Sequence, residues 1–205
     1  TLNLPRRDGS SNLVAGDIIY KDMNGDGFID GADQWRIGKN SFPRGNYGIY
    51  ANLSYKGFSA NILFQGATSR DMYIEDVVRG QSTGGYTMVY PYQLDYWMPD
   101  NTNAKFPRIA MNSSVNGNNN YVTSDFWLVN GRYIRLKSLQ LGYDFRSVLL
   151  KNIKWLYKCQ VVLSGQNLFT ISPATKYGFD PENGSTNNYD YPMQRVYAIS
   201  LNLGF

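Results

Sequence analysis

The chain has 205 residues, a formal net charge of +4 and no histidine, which excludes imidazole metal sites and every His-dependent triad or general base. Its one cysteine, Cys159, excludes an internal disulfide framework and a thiolate zinc cluster. The Lys and Arg residues form no basic block, so we expect no binding of nucleic acid.

The composition predicts an all-β protein. Seventeen Tyr, ten Phe and four Trp accompany twenty Gly, a mixture that is typical of strands joined by turns. No run approaches the roughly 18 to 20 apolar residues that a membrane-spanning helix needs, so any crossing of a membrane would use strands. The chain opens without a basic, apolar leader, and we expect any export signal to lie upstream.

The first motif is an acidic loop over residues 22–33, which matches the calcium-loop template. The predicted ligands are five side-chain oxygens and one backbone carbonyl, from Asp22, Asn24, Asp26, Phe28, Asp30 and Asp33. Gly27 falls where the template needs a sharp turn, but Asp33 replaces the usual bidentate Glu, as in dockerin-like loops, and flanking helices are missing. We expect a structural calcium ion, with magnesium possible and a metal-free turn rich in Asp and Asn as the alternative.

Two alternating runs follow, over 46–56 and 58–65, and they predict a hairpin with a tight turn at Lys56-Gly57. Only Tyr50 interrupts the alternation of the first run. The apolar face of that run is formed by Tyr47, Ile49, Ala51, Leu53 and Tyr55.

The rest of the chain predicts three more strands separated by unequal connections. An irregular stretch from 67 to about 125 leads to a third strand over roughly 127–143, whose earlier half is irregular. The connector 146–158 could hold one helical turn capped by Ser147. The fourth strand covers about 159–169, and a loop over 170–193 leads to the last strand, 195–205.

Alternation alone fits a soluble sandwich as well as a membrane barrel. Aromatic residues favour the barrel because they bracket the apolar stripes at eight-residue spacing, Tyr47 with Tyr55 and Tyr197 with Phe205. Eight tilted residues span about 20 Å, close to the roughly 25 Å apolar band of outer-membrane barrels. Short and very long connections also alternate, and the aromatic end of the last strand resembles the assembly signal of such barrels.

Five strands cannot close a barrel with a lumen, so the sequence predicts a fragment, about five strands of a larger barrel. Threading the strands from a periplasmic C-terminus puts Lys56-Gly57 and 146–158 in the periplasm. Segments 1–45, 67–126 and 170–193 then face outside. The predicted organisation is an extracellular segment 1–45 with the acidic loop, followed by barrel strands and external loops over 46–205.

The order of several short strings resembles the C-terminal part of SusC/RagA-like TonB-dependent transporters. The strings are GDIIYKD at 16–22, NGDG at 24–27, YKGF at 55–58, YWMP at 96–99, NAKFPR at 103–108, YIRLK at 133–137, LQLGY at 139–143, SGQNLF at 164–169 and the terminal Phe205. Each string is weak by itself, and their order and spacing carry the resemblance.

The resemblance implies an importer of glycan oligosaccharides or peptides in the outer membrane of a Gram-negative bacterium. It implies a 22-stranded barrel with an N-terminal plug, a TonB box reached by the TonB complex, and a SusD-like lipoprotein lid over the external mouth. The plug, the TonB box and the signal peptide would lie upstream of Thr1, and the partners of this segment would be the rest of the barrel, outer-membrane lipid and the lid. No substrate site is assigned, because aromatics such as Tyr90, Tyr92, Tyr96, Trp97 and Trp127 serve more often in girdles and loop packing than on sugars.

Two other classes of function stay open in the sequence. The acidic loop and the aromatics also fit a secreted, calcium-stabilised β-sandwich that binds carbohydrate. Asp180 and Glu182 could form a glycosidase pair, but no supporting constellation accompanies them, and we expect no enzyme activity.

Overall fold

The computed structural model describes residues 6–7, 13–75, 79, 89–109, 119–183, 191 and 193–205. Parts of the predicted loops 67–126 and 170–193 lie outside these residues. The assigned strands are β1 Arg6–Arg7, β2 Phe28–Ile29, β3 Gly45–Tyr55, β4 Phe58–Thr68, β5 Asp71–Tyr73, β6 Leu128–Asn130, β7 Tyr133–Asp144, β8 Lys158–Ile171 and β9 Val196–Gly204. The helices are α1 Phe145–Val148 and short 3₁₀ helices at Gly31–Asp33, Pro91–Gln93, Asp125–Trp127 and Pro173–Tyr177. None of the described helices is long and apolar enough to span a membrane.

The dominant element is a five-stranded sheet in the order β3-β4-β7-β8-β9, antiparallel throughout. Its strands contain 9 to 14 residues, and a membrane-crossing β-strand needs about 9 to 11. The two other sheets have two strands each: β1 pairs with β2, and β5 pairs with β6. The prediction of mostly β structure with a large antiparallel sheet is confirmed, although β1 and β2 pair in parallel.

The chain folds into two compact units. The first comprises Thr1–Lys39, Met72–Val129 and Asn183–Asp190, and the second comprises Asn40–Asp71, Asn130–Glu182 and Tyr191–Phe205. The five-stranded sheet belongs to the second unit, and the acidic loop belongs to the first.

The predicted tight hairpin joins β3 to β4 through Lys56 and Gly57. Both residues have positive φ angles, 46° and 85°. Two such residues in a two-residue loop form the turn whose twist matches that of paired strands. The pairing then runs without a break from Tyr55 opposite Phe58 to Gly45 opposite Thr68.

One face of the sheet is apolar from edge to edge. Residues that pair directly lie on the same face, and two complete rows cross the sheet: Leu53, Ala60, Leu141, Leu163 and Ile199, and Tyr55, Phe58, Tyr143, Val161 and Leu201. Many of these side chains are open to solvent in the isolated chain, Ile199 at 77% and Leu53 at 61%. This surface is called the apolar face below.

The opposite face is polar. Asn52 Nδ2 donates to Asn61 Oδ1 at 2.7 Å, and Asn61 Nδ2 donates to Gln140 Oε1 at 3.4 Å. Because Asn52 pairs with Asn61 and Asn61 with Gln140, these amides form a hydrogen-bonded row across three strands. The polar residues of the predicted alternation therefore satisfy one another on this face.

A β-bulge explains the irregular first half of the third predicted strand. Leu136 pairs with Phe64, Ser138 pairs with Leu63, and Lys137 has no direct partner on β4. Lys137 and Ser138 together therefore oppose the single residue Leu63, so that Leu136 and Leu139 on either side of them both lie on the apolar face. The insertion reverses the parity of the apolar positions, which are even-numbered before Lys137 and odd-numbered after it.

The connector after β7 begins with α1, but Ser147 does not cap it. Asp144 is the N-cap, and its carboxylate accepts hydrogen bonds from the N–H groups of Arg146 and Ser147. A carboxylate at the strand end can reach these amides directly, whereas Ser147 lies inside the turn and donates to the Asp144 carbonyl. The predicted cap was therefore wrong by three residues.

Tyr47 crosses over Gly66, its partner on β4. The Tyr47 hydroxyl donates to the Tyr133 carbonyl at 3.1 Å, and a Cβ atom added at Gly66 would lie 2.3 Å from the Tyr47 ring. We expect Gly66→Ala in the full-length protein to lower the stability of the folded state by about 1 to 3 kcal/mol, because the ring must leave its position. The measurement is the urea midpoint for loss of the compact, heat-sensitive band on a detergent gel.

Gly48→Ala is the matched control, since it lies in the same hairpin and its added Cβ atom would be 3.8 Å from the nearest atom, the Phe64 carbonyl oxygen. Equal midpoints for both variants would contradict the packing role of Gly66.

Candidate functional site

The acidic loop is held together by its own side chains. The Asp22 carboxylate accepts hydrogen bonds from the N–H groups of Gly25 and Gly27 at 2.6 and 2.8 Å. The Asp33 carboxylate closes the other end by accepting from the N–H groups of Met23 and Asp30 at 2.7 and 2.8 Å. Gly27 has a φ angle of 88°, as the sharp turn of the template requires.

The ionisation of the loop follows from these bonds. The N–H groups of Asp30 and Met23 lower the pKa of Asp33 below its ordinary value of 3.8, because they stabilise the charged carboxylate. Asp33 is therefore ionised at neutral pH.

Asn24, Asp26 and Asp30, at three of the predicted ligand positions, form hydrogen bonds within the loop itself. Asn24 Nδ2 donates to Asp26 Oδ2 at 2.9 Å, Asp26 Oδ1 accepts from the N–H of Phe28, and Asp30 Oδ1 accepts from the N–H of Ala32. Among the described residues, no three His, Cys, Asp or Glu side chains group closely enough to hold a metal ion. Each carboxylate oxygen in the loop still has a further lone pair.

A hydrogen-bonded centre around Asp17 joins distant strings of the first unit. Arg108 Nε donates to Asp17 Oδ1 at 2.6 Å, and Asn120 Nδ2 donates to the same atom at 3.0 Å. The Asp17 side chain is only 1% exposed. Such a buried carboxylate needs close partners, so this centre fixes the segment before the acidic loop.

Gly16 shows why its string carries a glycine. Its φ angle is 87°, and an added Cβ atom would lie 2.5 Å from the Trp97 ring. The Gly16 carbonyl also accepts from the N–H of Arg108 at 2.9 Å. The segments 16–22, 96–99 and 103–108, which contribute to the resemblance, therefore lie next to one another in the fold.

Trp127 is the centre of an aromatic cluster and does not face a ligand. Its side chain is 1% exposed, and its Nε1 donates to the Asn120 carbonyl at 3.0 Å. Phe126 and Phe106 lie 5.0 and 6.4 Å from it, centroid to centroid, and the Arg79 guanidinium lies 5.9 Å above it. Of the five aromatics considered for sugar stacking, this one is thus a packing residue.

In the second unit, Arg135 anchors the segment that follows β8. The guanidinium is 1% exposed and lies on the polar face of the sheet. Its Nη2 donates to both Asp180 oxygens at 2.7 Å, its Nε donates to Thr170 Oγ1 at 2.7 Å, and its Nη1 makes an ion-pair contact of 2.9 Å with Glu182. Lys137, the bulge residue, donates to Glu182 Oε2 at 2.8 Å. We call Arg135, Lys137, Asp180 and Glu182 the latch.

The latch gives Asp180 and Glu182, the pair considered for glycosidase chemistry, a structural role. Both carboxylates are committed to cations: Asp180 binds Arg135, and Glu182 binds Arg135 and Lys137. These ion pairs hold the segment that follows β8 against the sheet. The sequence contained a signal for the latch in the two cations of the YIRLK string, but not its partners.

Comparisons with known proteins identify relatives of the chain. No protein-family model matches it. Two TonB-dependent receptors of Formosa agariphila are 29% and 28% identical over 94% and 96% of the chain. The TonB-dependent receptor SusC of Bacteroides thetaiotaomicron is 26% identical over 91% of it. The chain spans only 17% to 20% of the length of these relatives.

Solved structures give the same result for the fold. The RagAB peptide importer in its open-open state superposes with a TM-score of 0.63 at 24% identity, over 86% of this chain and 19% of that one. The closed-closed state gives 0.62 at 23% identity, over 90% and 20%. The resemblance to SusC/RagA-like proteins is confirmed, and the matched proteins are receptors and importers by name rather than enzymes.

The latch predicts how the segment 172–182 responds to mutation. In the full-length protein, Asp180→Ala leaves the buried Arg135 with fewer partners, and we expect local stability to fall by roughly 2 to 3 kcal/mol. Hydrogen exchange of the amides in Pro173–Tyr177 and of Phe179, which is 3% exposed, measures this change.

Lys176→Ala is the control, because Lys176 is an exposed residue of the same turn. If both variants exchange at the wild-type rate, the latch does not hold the segment.

Proposed function

We propose that this chain is a wall and loop segment of a TonB-dependent outer-membrane transporter, which imports glycan oligosaccharides or peptides together with a SusD-like surface lipoprotein. The observation that carries the proposal is the five-stranded sheet with an apolar and a polar face. The likeness to TonB-dependent receptors along nearly the whole chain supports it.

The apolar face supports a membrane setting. Ile49, Ile199 and Leu201 are 57%, 77% and 60% exposed, and each would be covered by hydrocarbon in a bilayer. A transmembrane sheet must close so that its edges find partners, and about 22 strands enclose a plugged lumen. The edge strands β3 and β9 would then pair with further strands of the same barrel.

The alternative of a secreted β-sandwich receives less support. A sandwich buries the inner faces of two packed sheets against each other. In the described part of the chain, the only sheets besides the five-stranded one have two strands each. Such small sheets offer too little surface to cover an apolar face that crosses five strands.

The proposed orientation has the two-residue turn and the connector 146–158 in the periplasm and the long segments outside, with the C-terminus at the periplasmic side. Energy would reach the transporter through the TonB complex and upstream parts of the protein. The proposal assigns no substrate-contacting residue, and Trp127, one of the five aromatics considered for sugar stacking, is buried in packing.

A deletion strain of the native host tests the proposed import. We expect loss of growth on one glycan or peptide mixture as sole carbon source, restored by the full-length gene and not by a version that lacks the TonB box. The variant Lys21→Gln, which removes one exposed charge, is the complementation control. Unchanged growth on every glycan and peptide tested would contradict an import function, and absence of the protein from alkali-washed outer membranes would contradict the membrane setting.

We also propose that the acidic loop binds calcium in a structural role, through the carboxylates of Asp22, Asp26, Asp30 and Asp33, the amide oxygen of Asn24 and the carbonyl of Phe28. The loop fits in its spacing, in the positive φ angle of Gly27 and in its density of oxygen donors. A cation would compete with the Asn24 amide for Asp26 and would offset the repulsion among four carboxylates.

Calcium is expected to slow hydrogen exchange of the amides in residues 22–33 of the full-length protein, because it ties the two ends of the loop together. Asp22→Ala removes the first ligand and should abolish the effect, whereas Asp100→Ala removes an exposed acid of the same unit and should preserve it. Identical exchange with calcium and with a chelator would count against the site, and an equal effect of magnesium would change the assigned ion.

A further inference from the structure

One end of the five-stranded sheet carries a concentration of cations. Two segments lie together there: the turn between β3 and β4, and the stretch 144–158. Gly57 packs against Val148, and the Gly57 carbonyl accepts a hydrogen bond from the N–H of Asp144 at 2.8 Å. The cations of these two segments are Lys56, Arg146, Lys151, Lys154 and Lys158. The same segments contain a single acid, Asp144, and it is used as the helix cap. We call this end the basic rim.

The basic rim continues across the sheet to its last strand. Arg146 Nε donates to the Leu156 carbonyl, which ties α1 to the following stretch. Trp155 stacks on Phe205 with ring centroids 5.7 Å apart, and the N–H of Tyr157 donates to the Gly204 carbonyl at 3.0 Å. Lys151, Lys154 and Lys158 are exposed, and Lys56 lies 5.1 Å from the Tyr55 ring centroid. These cations are therefore free to meet a ligand from solvent or from a membrane surface.

An apolar groove of about 560 Å³ opens directly beside the basic rim. It lies along the last two rows of the apolar face, where Ala60 and Val161 are small and Leu53, Leu141 and Leu163 stand around them. Phe58 and Tyr143, with ring centroids 4.4 Å apart, and Phe145 border it at the rim end. The groove is lined mainly by apolar side chains, as a site for a hydrocarbon chain would be, and Phe145 at one end of it belongs to a rim segment.

We propose that the groove and the basic rim together bind one phospholipid with an anionic headgroup, its acyl chain in the groove and its phosphate among Lys56, Lys151 and Lys154. This inference rests on the proposed membrane setting and adds a specific ligand to it. The charge complementarity is direct, because each Lys near an anionic membrane surface adds to the attraction. Aromatic side chains at the rim suit the membrane–water interface, where the ring contacts hydrocarbon and a polar group on it can contact water.

The proposed ligand is a glycerophospholipid of the inner leaflet rather than lipid A of the outer leaflet. In the proposed orientation the basic rim is periplasmic, since it is built from the two-residue turn and the connector 146–158. The lysines also present separate point charges on flexible stems, which suit a mobile phosphate headgroup.

The test uses the full-length protein, purified in mild detergent from alkali-washed outer membranes and stripped of lipid. Native mass spectrometry then measures binding of dioleoyl phosphatidylglycerol against dioleoyl phosphatidylcholine. We expect phosphatidylglycerol to bind about tenfold more tightly, and the variant Lys56→Gln/Lys151→Gln/Lys154→Gln to lose most of that preference. The matched control is Lys21→Gln/Lys105→Gln/Lys176→Gln, which removes three exposed charges from segments that do not form the rim and should keep the preference.

A second variant separates the groove from the charges. Ala60→Phe fills the groove and should weaken binding of both lipids equally, with folding checked by the heat-sensitive gel band. Equal affinity of the wild type for the two lipids, an equal loss in the control, or tighter binding of lipid A would overturn the proposal. A protein that is retained in alkali-washed membranes but lacks the preference refutes only this lipid site, whereas a protein that is not retained refutes the membrane setting itself.

Discussion

The structure depends on a sheet whose two faces require different surroundings. Every strand of the five-stranded sheet contributes apolar residues to one face, while amides and charges collect on the other. Hydrogen bonds between neighbouring strands satisfy the backbone N–H and C=O groups inside the sheet. The side chains therefore determine whether each face is stable against water or against hydrocarbon. An apolar face of this extent costs free energy in water at roughly 25 cal/mol per Å². The sheet is therefore suited to surroundings in which hydrocarbon covers one face and polar groups or water contact the other.

Desolvated charges hold irregular segments in place within each of the two units. Asp17 in the first unit and Arg135 in the second are each 1% exposed at the side chain, and each is surrounded by direct partners. A buried charge that loses a partner is costly, so such centres hold a loop in one place more strongly than surface ion pairs do. The exposed pair of Lys105 and Asp95, 3.8 Å apart, illustrates the weaker kind.

The two ends of the sheet differ in character. At one end, β7 and β8 meet the latch, where two cations and two carboxylates neutralise one another. At the other end, five cations have one acid among them, and that acid is used in a helix cap. Paired charges serve the chain's own folding, whereas the exposed lysines of the rim are available to a ligand. The lysines of the rim, and not the cations of the latch, are therefore placed to bind a lipid headgroup.

Local patterns in the sequence determined the β class, the Lys56-Gly57 turn and the composition of the apolar face, because period-two alternation and turn residues act over a few positions. The bulge at Lys137 was visible only as a loss of alternation, since an inserted residue has no signature until its partners on β4 and β8 are known. Asp17 with Arg108, and Arg135 with Asp180, join residues 91 and 45 positions apart. Such pairs are decided by tertiary structure, because many charges in the chain could have served as partners and only the folded geometry selects among them.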